Sequence, residues 1–128
     1  MIDADVRAVF AAIALAHHGD RAVSGLFDHS LKRKVNLTAV FDGLALSAVD
    51  LERRSRLVGK MPDFYDEARR SYINLTQEPE RYVGYDHKTG THLHIVIKED
   101  TANLYDYAAA QWFQYSLKGP DAVSSLLP

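Results

Sequence analysis

The sequence predicts an α+β, mostly helical single domain of about four to five helices, with one antiparallel β-hairpin at about residues 81–98 packed against a C-terminal helix. Three observations carry this expectation. Apolar residues recur every three or four positions through most of the chain, strict two-residue alternation is confined to Tyr82–Lys98, and helix start and stop residues bracket the periodic runs. Helices on either side of one ribbon fit the α+β class.

In chain order, Val6, Val9, Phe10 and Ile13 follow helical spacing behind Asp3 and Asp5, whose charge suits a helix N-terminus. A first helix is expected over about residues 4–18, with Gly19 as its left-handed cap. Asp20 then reads as the N-cap of a short second helix burying Val23, Leu26 and Phe27. Leu37, Val40, Phe41, Leu44, Ala48, Leu51 and Val58 predict one long helix over about 37–59, with Gly43 as a close crossing or a break. Pro62, followed by Asp63, Asp66 and Glu67, opens the next helix. Thr101 caps a last one, which carries Leu104, Ala108, Trp112 and Tyr115 and stops at Gly119-Pro120.

The ribbon has a predicted register. Val83, Tyr85, Leu93, Ile95 and Ile97 share one face if Lys88, Thr89 and Gly90 form a three-residue loop with Gly90 in the left-handed conformation. Tyr85 then faces Leu93 and Val83 faces Ile95. The other face gathers Asp86, His92 and His94, with Gly84 leaving room above them.

The chain of 128 residues is a one-domain length, read as a single domain over 1–120 with a tail at 121–128, without an internal repeat. A 47% hydrophobic and 25% charged composition is that of an ordinary globular protein. No apolar run approaches the roughly 18 residues that span a bilayer, and no signal peptide is evident, so a cytoplasmic location is expected. The absence of cysteine excludes disulfides, thiolate zinc sites and thiol nucleophiles. Residues 1–60 carry a net charge of +2 and residues 61–128 of −4, too mild an asymmetry to favour nucleic acid.

Three constellations carry chemistry. Asp86, His92 and His94 form a two-histidine, one-carboxylate set able to hold zinc or iron with open positions; the same pattern also describes surface histidines beside an aspartate. The stretch His92–Ile97 resembles the histidine-hydrophobic-histidine strand of HUH endonucleases, a likeness that would assign the nucleophile to Tyr105 or Tyr107 and require a sheet of four or five strands. Lys32, Arg33, Lys34, Arg53, Arg54 and Arg56 form two basic groups that suit nucleic-acid contact or solvated helix ends. Tyr105, Trp112 and Phe113 belong to an aromatic-rich second half and are read as an interface, with a homodimer expected. The functional expectation is a small non-catalytic accessory or regulatory protein that binds another protein. The alternatives are a metal-dependent enzyme using the hairpin site and a nucleic-acid-binding regulator.

Overall fold

The computed structural model describes residues 2–118 and overturns the helical expectation: the chain is a closed ten-stranded antiparallel β-barrel around one helix. Helix α1 (Ala4–Gly19) is followed by β1 (Val23–Asp28), β2 (Arg33–Asp42), β3 (Ala45–Asp50), β4 (Ser55–Lys60) and β5 (Asp63–Asp66), then by β6 (Ser71–Gln77), β7 (Tyr82–Asp86), β8 (Thr91–Lys98), β9 (Thr101–Asp106) and β10 (Gln111–Ser116). Each strand pairs with its neighbours in the chain, and β1 closes the ring against β10 through Phe27↔Ser116 and Asp28↔Tyr115.

The helix lies inside the wall. From Val6 to Ala16 every residue of α1 is buried, on all sides of the helix, and α1 packs against β1, β2, β3, β8 and β9. A helix that is apolar all round has to be enclosed, and Ala8, Ala11, Ala12, Ala14 and Ala16 make this one thin enough to fit. The wall answers with small inward residues, Ala39, Ala48, Gly84 and Ala102, and with larger ones elsewhere, Leu57, Phe64, Ile73, Leu75, Leu93 and Ile95. The gap between α1 and β2–β4, beside Val9, Ala12 and Ile13, is too small for a water molecule.

Five hairpins build the wall, each ending in an aspartate. Asp28, Asp50, Asp66, Asp86 and Asp106 lie opposite Arg33, Ser55, Ser71, Thr91 and Gln111, so every loop has four residues. In each loop the fourth residue takes a positive φ: Lys32, Arg54, Arg70, Gly90 and Ala110. The aspartates are almost wholly buried and accept backbone N–H groups of their own loops, Ser30 and Leu31 on Asp28, Glu52 and Arg53 on Asp50, and Ala108 and Ala109 on Asp106. This is the Asx-turn chemistry that makes aspartate a turn residue. The chain therefore does contain an internal repeat, an apolar-x-Asp-x4 hairpin recurring at intervals of about 20 residues.

Three arginines neutralise this end of the barrel. Arg53 bonds Asp50 at 2.6 Å and Asp66 at 3.0 Å, Arg69 grips both oxygens of Asp86 at 2.7 Å, and Arg7 of α1 reaches Asp106 at 3.5 Å while lying 3.7 Å over the Phe113 ring. The Ile2 N–H donates to Asp106 at 3.3 Å. The positive N-terminal end of α1 thus faces the carboxylates. At the opposite end the Asp20 N–H closes the helix from a left-handed conformation, the role expected of Gly19, and His17 lies 2.7 Å from the Tyr82 hydroxyl.

The corrections share one cause. The short helix expected after Asp20 is β1, the long helix over 37–59 is β2, β3 and β4, the helix from Pro62 is β5 and β6, and the C-terminal helix is β9 and β10. Several inward positions of this barrel are small or acidic, Ala39, Ala48, Gly84 and the five aspartates among them, while the outer face carries the apolar Val40, Val58, Tyr72 and Trp112. Two-residue alternation is erased from the composition, and the residual spacing imitates a helix. Residues 82–98 form a ribbon, β7 and β8, but it is two staves of ten and packs on no C-terminal helix.

Its register also differs by one residue: Asp86 faces Thr91, Tyr85 faces His92, Gly84 faces Leu93 and Val83 faces His94. The Asp86 carboxylate, held by Arg69 and Thr89, demands the four-residue loop, and Leu93 fills the space that Gly84 leaves. Gly119 to Pro128, including the expected tail 121–128, lie outside the described residues. Among the described residues no helix is long and apolar enough to cross a membrane.

A Cβ at Gly84 would sit 2.7 Å from Leu93 Cδ1 and 3.2 Å from the Asn74 carbonyl. Gly84→Ala is therefore expected to cost about 1–3 kcal/mol in urea unfolding; in the alternative register the site would face outward and the change would be neutral.

Acid sensitivity follows from Asp86. Burial works to raise its pKa, but the Arg69 and Thr89 hydrogen bonds and the Arg69 charge hold it below the ordinary value. A depressed folded pKa contributes stability that is present above the unfolded value of about 3.9 and is lost as pH falls through the folded one. Urea midpoints measured from pH 7 down to about pH 2 should fall at the acid end, and Asp86→Asn, though less stable at neutral pH, should fall less steeply there.

Candidate binding face

The lumen is filled by α1 and the inward side chains of the wall. The outward residues of β7–β10 form a registered grid. Across one row run Val83, His94, Tyr105 and Trp112, each directly opposite the next on adjacent strands. Beside it lie Tyr85 and His92, also opposite each other, and on the far side Val96, Asn103 and Gln114.

The middle row is a packed ridge. His94 stacks on Tyr105 with centroids 5.6 Å apart and an interplanar angle of 20°, and meets the edge of Trp112 at 5.1 Å. Tyr105 meets Trp112 at 5.2 Å and Tyr107 at 5.0 Å, and the Tyr107 hydroxyl lies 2.9 Å from His94 Nδ1. Trp112 and Tyr107 are 51% and 52% exposed, so the ridge presents aromatic surface to solvent. Cross-strand aromatic pairs of this kind hold one another in place, and the exposed rings are positioned before any partner arrives.

The ridge is flanked by two depressions. A groove of about 350 Å³ lies between Arg81, Val83, His92, His94 and Tyr107, with Leu93 at its floor, and a shallower one of about 310 Å³ lies beside Val96, Asn103 and Trp112. The lining holds no carboxylate, and its one cation, Arg81, is paired with Glu78 at 2.9 Å. Partial burial and the Arg81 charge push the His94 pKa below its ordinary value, which favours the neutral form of the ring at the centre of the ridge.

The residues singled out from the sequence are distributed as follows. Asp86 points into the barrel and is held by Arg69, whereas His92 and His94 point outward, so the three are not brought together. Among the described residues no group of three or more histidine, aspartate and glutamate side chains is placed to hold a metal. The basic residues do not merge into one free surface: Arg33 pairs with Glu52, Arg53 is sequestered by Asp50 and Asp66, and Arg56 pairs with Glu67. Lys32 and Arg54 occupy strained turn positions, and Lys34 lies across Gly25. Of the three interface residues, Tyr105 and Trp112 belong to the ridge, while Phe113 is buried in the barrel beneath Arg7.

The sequence reading places neither Tyr107 nor His94 on a ridge and does not find the groove beside them, because a helical reading separates side chains that strand pairing places side by side. One serine–histidine contact occurs elsewhere, His29 Nε2 and Ser116 Oγ at 2.7 Å. Ser116 is buried and its hydroxyl donates to the Lys118 carbonyl, so its proton points away from the imidazole, the reverse of what a general-base dyad needs.

No protein-family model matches this chain, and no curated protein or solved structure matches it.

The His94 environment is open to direct measurement. An NMR titration should place His94 below the usual 6.5, and Arg81→Gln should move it upward, because removing a neighbouring positive charge favours the imidazolium. An unmoved value would mean that Arg81 does not face the ring.

Proposed function

We propose that the protein is a non-catalytic accessory module that binds another protein chain through the outer face of β7–β10. The observation that carries this reading is the ridge of His94, Tyr105, Tyr107 and Trp112, ordered by its own contacts yet half-exposed at its crest. Tryptophan and tyrosine dominate the energetics of protein interfaces because they bury large area at small conformational cost, and such residues cluster in one central patch. A convex ridge between shallow grooves suits a protein surface of matching relief; small-molecule sites are concave and bury most of their ligand. The helix-filled lumen supports the same reading, since it leaves no internal chamber for a ligand. The sparse charge of the face argues against a phosphate backbone as partner.

The test is retention on immobilised protein. Wild type should hold a protein chain, either a different one or a separately labelled copy of itself, that Trp112→Ala with Tyr107→Ala fails to hold, while thermal unfolding of the two is alike. Equal retention by both would remove the face from consideration. An unchanged result on substituting Leu51, an exposed apolar residue on the β3–β4 loop, would serve as the internal control.

A further inference from the structure

We infer that the occupant of this face is a second copy of the chain, seated so that the Trp112 ridge of each copy enters the Arg81–Val83–Tyr107 groove of the other. The inference rests on reading the face as a protein interface and names the partner.

A two-fold contact joins one patch to itself, so the patch has to carry both a projection and a recess, and carry them side by side. This face does. Trp112 stands at one end of the registered row and Val83 at the other, with His94 and Tyr105 between them. Neighbouring strands lie about 4.8 Å apart, so the backbone positions of Trp112 and Val83 are about 15 Å apart along the row. Rotating a copy by half a turn about an axis through the His94–Tyr105 pair reverses the row and lays Trp112 over Val83 and Val83 under Trp112. His94 and Tyr105 then meet Tyr105 and His94, which keeps aromatic rings against aromatic rings at the centre.

The charges agree with such a seat. Two identical faces repel if they carry net charge, and the ridge and grooves of this one carry only Arg81, already balanced by Glu78. The whole chain has a formal charge of −2, small enough for two copies to approach. When Trp112 of one copy fills the groove of the other, the Arg81 guanidinium at its rim lies within reach of the indole face, a favourable cation–π pairing that a neutral residue would not supply. Closure of the barrel leaves no open sheet edge between β7 and β10, so the copies meet through side chains.

The chain contains a single tryptophan, Trp112, so its fluorescence reports on the proposed contact alone. Sedimentation of the full chain from micromolar to millimolar concentration should show a monomer–dimer equilibrium, with Trp112 emission moving to shorter wavelength as the dimer forms. Trp112→Ala removes the projection and Val83→Glu spoils the recess; each should weaken self-association about thirty-fold or more, with thermal unfolding unchanged. Mixed together, the two variants retain one intact ridge-in-groove contact, and should associate with each other more tightly than either does with itself. Val58→Glu, an exposed apolar position outside this face, should leave the dimer as it was.

A wild-type chain that stays monomeric at millimolar concentration, or a dimer indifferent to both substitutions, overturns the inference. If the chain is monomeric while Trp112→Ala with Tyr107→Ala still abolishes retention of a different protein, the second copy is excluded and the binding face stands. If retention is also unaffected, both fall.

Discussion

The architecture depends on one constraint: a ten-stranded barrel encloses more space than its own inward side chains can close, and here the deficit is met by α1. Small residues on the helix and small residues on the facing strands are two halves of one solution, because an alanine-rich helix fits only where the wall is kept thin at Ala39, Ala48 and Ala102. Leu57, Phe64, Ile73, Leu75 and Leu93 complete the filling. A lumen closed in this way leaves no internal chamber beside the helix among the described residues.

The polar end of the barrel shows the same economy. Five aspartates shape five loops, and each would be costly to bury alone. Loop N–H groups, Arg53, Arg69 and Arg7 share the compensation, and the positive end of α1 lies at the same level. The orientation of the helix in the lumen is consistent with this field: a reversed helix would present its carbonyl end to the carboxylates. The conformation of the loops is thereby coupled to the placement of the core helix through Arg7, Asp106 and Ile2.

Several of these features were legible in the residues. The all-apolar run from Ala8 to Ala16 marks a helix that must be enclosed, and its expected span of about 4–18 lies close to Ala4–Gly19. The five aspartates form a repeat that is hard to see, because the loop positions that follow are occupied by Lys32, Arg54, Arg70 and Ala110, where glycine is the usual sign of a left-handed turn. Only Gly90 gives that sign, and it marks a single hairpin. The ribbon's register is not legible from apolar content, because apolar does not mean inward here. Val83 and Tyr85 face out, and a buried Asp86 faces in, because a carboxylate with an arginine partner is as much at home inside this barrel as an isoleucine. The metal set went with that register, and the ridge of Tyr105 and Trp112 was in part recognisable from aromatic content alone.

Nine of the ten seams in the wall join strands that follow one another in the chain; the tenth, between β1 and β10, is held by two aligned residue pairs. Only residues 20–22 separate the end of α1 from the start of β1, so the strand that follows the helix is also one side of this brief latch. The latch is therefore the place where the cylinder is cheapest to part, and the place through which the helix would pass if one molecule ever traded its centre for that of another.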